Sequence, residues 1–145
     1  MEFRVDPELL DSIRYIDKHS FSIQIPKGFI VLPDSVVERA QKELQGNNEG
    51  EVPLFLLEHV FVNPKMPSAV ILVSSILPDS VEFKEFCDFI KEYGDKYLTF
   101  FPNAEISKYS VNNIHCWQAR RIEAEQIRFR LLIDRGHNSF PCQLD

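Results

Sequence analysis

The chain has 145 residues, a formal net charge of −6, and 44% hydrophobic against 26% charged residues. That balance builds one globular domain with its own core and excludes a disordered chain. It also excludes a nucleic-acid binder that works by bulk positive charge, and no segment is apolar for long enough to span a membrane.

Three cysteines, Cys87, Cys116 and Cys142, form no Cys-x-x-Cys pair and no Cys/His zinc spacing. They read as free thiols in the core. Met1 to Asp17 carries Asp6, Glu8 and Asp11 and has no apolar run, so no leader is expected. The chain reads as cytoplasmic.

In chain order, Asp6-Pro7 followed by Leu9, Leu10, Ile13 and Ile16 predicts a short N-terminal helix, with Asp6 as N-cap and Pro7 in the first turn. Phe21, Ile23 and Ile25 alternate along a strand that Pro26-Lys27-Gly28 breaks. Phe29 to Leu32 is a second short apolar run. Pro33-Asp34-Ser35 then opens a helix with Val36 or Val37, Ala40 and Leu44 inward. Gly46 to Gly50 is a polar loop and the segment expected to be mobile.

Leu54 to Val62 is a strand rich in Leu, Val and Phe. Ala69 to Leu77 is the most apolar run and belongs at the sheet centre. Asp79 to Pro102 predicts one long amphipathic helix. Its stripe is Phe83, Phe86, Cys87, Ile90, Gly94, Tyr97, Leu98 and Phe101, its N-cap Asp79 or Ser80, and its stop Pro102.

Glu105 to Ser110 alternates and Val111-Asn112-Asn113 turns. Ile114 to Ile122 and Gln126 to Ile133 form a hairpin around Glu123 to Glu125. Asp134 to Asn138 turns again, and Ser139 to Leu144 begins a last strand. That strand reads as an edge strand, and its apolar residues imply a closing helix beyond it.

The sum is an α+β fold: a single domain over residues 1–145, with an N-terminal helical extension over 1–18 and a sheet-and-helix core over 19–145. Short connections imply an antiparallel β-sheet of about six or seven strands packed by helices, α/β/α sandwich-like.

This order resembles the PsbP-like fold family. The similarity runs over residues 20–145. It rests on the strand entering Pro26-Lys27-Gly28-Phe29, a helix, two long strands, the long helix, strands at Ile114 to Ile133, and a terminal strand. The family includes an extrinsic photosystem II protein, a Ran-binding import factor and many uncharacterised bacterial members. The resemblance implies action by binding partners and carries over no catalytic set.

The hairpin holds the candidate site. With Ala124 and Glu125 at its tip, Arg121 faces Arg128 and Ile122 faces Ile127. One face then carries Ile114, Cys116, Ile122, Ile127, Phe129, Leu131 and Ile133, with Gln118 and Arg120 as exceptions. The other carries His115, Trp117, Arg121, Arg128, Arg130 and Leu132.

Two opposed arginines want an acidic neighbour or an anionic ligand. Trp117 beside them has the composition of an interface hot spot. Trp117, Arg121, Arg128, Arg130 and His115 are therefore the partner-binding candidates, and an acidic protein segment is the expected partner. Alternatively, Glu123 or Glu125 neutralises the arginines and a helix covers Trp117.

Adjacent strand residues point to opposite faces, so His115 cannot activate Cys116. His59 beside Glu58 reads as a half-buried sheet residue rather than a ligand. Ser74-Ser75 lacks a nucleophile elbow, and no Walker loop or Gly-x-Gly-x-x-Gly exists. Glu38, Glu43, Glu49 and Glu51 read as a solvated face.

The expectation is a non-enzymatic protein-binding or adaptor domain, with no metal and no cofactor. The alternative is a small-molecule carrier with a pocket between the long helix and the sheet, lined by Phe83, Phe86 and Tyr97, with room left by Gly94. Nothing in the sequence sets an oligomeric state.

Overall fold

The computed structural model describes residues 6–16, 21–47, 55–76, 82–136 and 141–145. Asp6 caps a single 3-10 turn, Pro7–Leu9, its carboxylate accepting from the Glu8 amide at 2.9 Å. The chain then extends into β1 (Leu10–Ile16), which pairs antiparallel with β2 (Phe21–Pro26). The expected N-terminal helix is thus a strand. Ser12 to Ile16 is rich in β-branched and aromatic residues, and the edge of β2 gives its backbone partners that an isolated short helix lacks.

Gly28 takes φ +91° in the turn after β2, a conformation glycine adopts without strain. Next come β3 (Ile30–Val31), α1 (Asp34–Asn47), β4 (Phe55–Asn63) and β5 (Met66–Ile76). They are followed by α2 (Phe86–Phe100), β6 (Glu105–Val111), β7 (Ile114–Glu123), β8 (Gln126–Ile133) and β9 (Cys142–Leu144). The polar loop expected to be mobile lies largely outside the described residues, as do the two proposed helix caps Asp79 and Ser80.

Seven strands form one antiparallel sheet in the order β3-β4-β5-β9-β8-β7-β6. The last strand is therefore not an edge but the middle of the sheet. Side-chain alternation along β4, β5, β7 and β8 places α1 and α2 on the same face. Leu57, Val60 and Leu72 receive Val37 of α1, while Ile76, Trp117, Ala119 and Leu132 receive α2.

The opposite face is covered over β4, β5 and β9 by the β1–β2 ribbon, which seats Ile25 on Phe61, Val73 and Cys142. The layers are therefore helices, sheet and ribbon rather than α/β/α. At the outer side of β4, Gln41 of α1 accepts from the Leu57 amide at 2.6 Å and donates to the Phe55 carbonyl at 3.3 Å. This buried amide satisfies backbone groups that the two-residue β3 is too short to reach.

α2 begins seven residues later than the stripe implied, at Phe86 after Glu85, and ends ahead of Pro102 as expected. Its buried face is Phe86, Phe89, Ile90, Tyr93, Gly94 and Tyr97. Phe83 lies outside the helix, and Cys87 and Leu98 are exposed. With Phe83 no longer anchoring the stripe, the inward face rotates to bring in Phe89 and Tyr93.

Candidate functional site

The β7–β8 register is the one its turn residues require: Arg121 pairs with Arg128 and Ile122 with Ile127. Ala124 takes φ 49° at the tip. The arrangement is the alternative in which a helix covers Trp117 and Glu123 meets the arginines, rather than the one that leaves Trp117 open to a partner. The face with Trp117, Ala119 and Leu132 is the one under α2, and the apolar face at the hairpin tip is open to solvent.

Trp117 is the hub of the helix contact. Its indole stands edge-on to Tyr93 and Tyr97, with ring centroids 5.4 and 5.5 Å away. A Cβ on Gly94 would come within 3.3 Å of the indole Nε1. Gly94 therefore lets the helix approach Trp117 closely. Buried as it is, Trp117 offers no surface to a partner, which corrects its place among the candidates. His115, also a candidate, sits at the far end of β7, where its Nδ1 lies 2.9 Å from Ser110 Oγ.

The three arginines do come together, each held differently. Arg130 donates from Nε and Nη2 to the two carboxylate oxygens of Asp145, both at 2.8 Å, and from Nη1 to Tyr93 Oη at 2.9 Å. Its guanidinium also lies 5.7 Å from the Phe55 and Tyr97 ring centres. Burial works against this charge, but the hydrogen bonds and attraction of Asp145 outweigh it and raise the Arg130 pKa. Burial likewise pushes the Tyr93 hydroxyl up to about 12, against the pull of Arg130, so it acts as a neutral acceptor.

Arg121 stacks 3.7 Å over the Phe101 ring and reaches Glu123 at 2.7 Å, while its buried Nε has no partner. Arg128 is the exposed one, and its Nε meets the same Glu123 carboxylate only at 3.4 Å. Two guanidinium groups thus share one carboxylate.

These arginines line one side of a cleft that the sequence did not suggest. β9 pairs with β5 only at Val73 to Ser75 and with β8 only at Leu131 to Ile133. One further rung joins Leu72 to Asp145, whose amides each donate to the other's carbonyl at 2.8 and 3.0 Å.

Beyond Asp145, among the described residues, no strand lies between the first half of β5 and the first half of β8. A cleft of about 800 Å³ opens there, lined by residues 67–72 and 125–131 together with Tyr97, Gln118, Arg121, Leu144 and Asp145. Its lip on the helix face is Arg121, Arg128 and Arg130. Its lip on the ribbon face is Ile71, Ile127, Phe129 and Leu131.

The remaining reactive groups are quiet. Burial pushes the Cys142 thiol up to about 12 and raises that of Cys116, so neither is a ready thiolate. Among the described residues no group of three His, Cys, Asp or Glu side chains could hold a metal, and no helix is long and apolar enough to cross a membrane. No family model, curated protein or solved structure matches the chain.

Proposed function

We propose that the chain is a non-enzymatic protein-binding or adaptor domain that holds an acidic segment of a partner at the arginine lip of the cleft. The observation that carries this reading is the pair Arg121 and Arg128 sharing the single carboxylate of Glu123 beside an open cleft. Positive charge of that kind, exposed at Arg128, steers and selects an acidic partner. A binding role agrees with the resemblance to the PsbP-like family, whose membership is part of this proposal. A cytoplasmic setting agrees with three free thiols, Cys87, Cys116 and Cys142.

The test is capture of the partner from native cell extract by cross-linking. Arg128→Glu is expected to weaken capture by about tenfold, and wild-type capture to fall as salt rises. Capture that is indifferent to both sinks the reading.

The small-molecule alternative draws on the cleft's volume of about 800 Å³, within the range of ligand sites. Its pocket would be this cleft, with Tyr97 on its wall, rather than the expected space beside Phe83 and Phe86. A melting-temperature screen with apolar and anionic ligands separates the two: a shift reversed by Ile127→Glu favours a carrier.

A further inference from the structure

The arginines of the β7–β8 hairpin are held in two different ways. Arg130 is saturated: Nε and Nη2 meet both oxygens of Asp145, and Nη1 meets Tyr93 Oη. Arg120, on the opposite face, pairs with Glu105. Arg121 and Arg128 instead divide one carboxylate. Glu123 sets Oε1 against Arg121 Nη1 at 2.7 Å and Oε2 against Arg128 Nε at 3.4 Å. Both of its oxygens are then in use, and the buried Nε of Arg121 still lacks an acceptor. Among the described residues, these two guanidinium groups thus share one negative charge.

The cluster has a fixed half and a loose half. The Arg121 guanidinium lies 3.7 Å from the ring centre of Phe101 and 5.7 Å from that of Tyr97, so its plane is set before any ligand arrives. The Arg128 side chain is 58% exposed and that of Glu123 43%. An ion pair so open to solvent is weak, and Glu123 is displaced at little cost. Arg121 and Glu123 share a face by the strand period, and Arg128 lies directly across from Arg121. The hairpin and Phe101 assemble this spot between them.

We propose that Arg121 and Arg128 form a binding site for a phosphomonoester dianion carried on a segment of a partner protein, with Glu123 as a resident stand-in that the phosphoryl group displaces. This rests on the protein-binding reading and names the chemistry that its acidic segment carries.

Replacing Glu123 by a partner's carboxylate exchanges one two-oxygen monoanion for another and gains neither charge nor acceptors. A phosphoserine or phosphothreonine brings about two negative charges and three acceptor oxygens. It neutralises both arginines and offers one oxygen more than Glu123 does. Guanidinium forks match such oxygens in geometry, and the hydrogen bonds are charge-assisted. The chain's net charge of −6 works against an anionic membrane or a nucleic acid, each of which presents many phosphates at once. A single phosphoryl group on a protein is the source that fits.

The probe is a fluorescein-labelled peptide of Gly and Ala with one central phosphoserine, followed by anisotropy and by the arginine Nε–H signals in NMR. Saturable binding is expected, at least about tenfold tighter than that of the same peptide with Asp or Ser at its centre. The Nε–H signals of Arg121 and Arg128 should shift together, while that of Arg120 stays.

Two substitutions should act in opposite directions. Arg128→Ala should weaken phosphopeptide binding about tenfold. Glu123→Gln should strengthen it about threefold, because a weakly held competitor is gone. Both side chains are well exposed, so melting temperatures near wild type are expected, and a loss of folding does not produce a gain in binding.

Absence of saturable binding, equal binding of the Asp peptide, or weaker binding to Glu123→Gln overturns the phosphoryl site. Inorganic phosphate, or vesicles carrying phosphatidic acid, binding more tightly than the peptide would assign the site to those sources and overturn the protein segment. Phosphatase treatment of the extract used for partner capture separates this inference from the reading beneath it. Capture lost on treatment supports both. Capture that survives treatment but still falls with Arg128→Glu keeps the binding reading and overturns the phosphoryl class alone.

Discussion

On one face of the β7–β8 hairpin, Trp117 is 1% exposed and Ala119 and Leu132 are 0% exposed, although three arginines share that face. On the other, Ile122, Ile127 and Phe129 are 69%, 61% and 49% exposed, although that face has the greater share of apolar residues. The difference lies in what each face meets. α2 brings Tyr93, Tyr97 and, just past its end, Phe101. These rings accept guanidinium groups as readily as they accept an indole. The ribbon covers β4, β5 and β9 and does not extend over the hairpin tip. An arginine can be a packing residue where its stem lies on rings and its head finds a carboxylate. An isoleucine can be a surface residue where nothing reaches it.

The largest test of this contrast is Trp117→Ala. It empties the centre of the helix contact and should lower unfolding free energy by about 3–5 kcal/mol in chemical denaturation. A loss below about 1 kcal/mol would break the comparison, since such a change is normal for a surface site.

Asp145→Ala comes next. It leaves Arg130 half-buried without its carboxylate and should cost about 2–4 kcal/mol, less than for a fully buried pair because both side chains keep some solvent. Asp145→Ala combined with Arg130→Met should recover part of that loss, a sharpening that a purely steric account of Arg130 does not anticipate.

On the outer face, Ile122→Ser with Ile127→Thr should change stability by no more than about 0.5 kcal/mol while raising solubility, read by denaturation and by concentration-dependent scattering.

The smallest effect concerns α2's solvent side. There Lys84, which Glu92 binds, and Lys96 at 2.8 Å hold the Glu92 carboxylate down to about 2. A carboxylate lowered on folding stabilises above its unfolded pKa and loses that contribution as pH falls toward the folded value. The contribution is therefore present above about pH 4.5 and fades toward pH 2. Lys84→Met should move the Glu92 midpoint upward in an NMR titration with little change in melting temperature, because the pair is exposed.

How much of this was legible beforehand varied with the kind of signal. The hairpin register followed from turn residues and strand period alone, because a two-residue tip leaves no freedom to slip. The Asn112-Asn113 turn was equally readable, since both residues adopt the positive φ that asparagine tolerates. The N-terminal helix misled because apolar spacing at three and four also fits a twisted edge strand of mixed exposure. Of the five candidate residues, Arg121, Arg128 and Arg130 line one cleft, whereas Trp117 is buried under α2 and His115 lies at the other end of β7. The pairing of Asp145 with Arg130 was not legible because it depends on which strands become neighbours.

The sequence by itself determined the α+β class, most strand positions, the end of the long helix and the pairing of the hairpin. All of these follow from local chemistry: side-chain period, turn residues and proline. Only the tertiary structure decided which hairpin face meets α2, and that β9 lies in the middle of the sheet rather than at its edge. Those choices are made by contacts between distant segments, which no local pattern encodes.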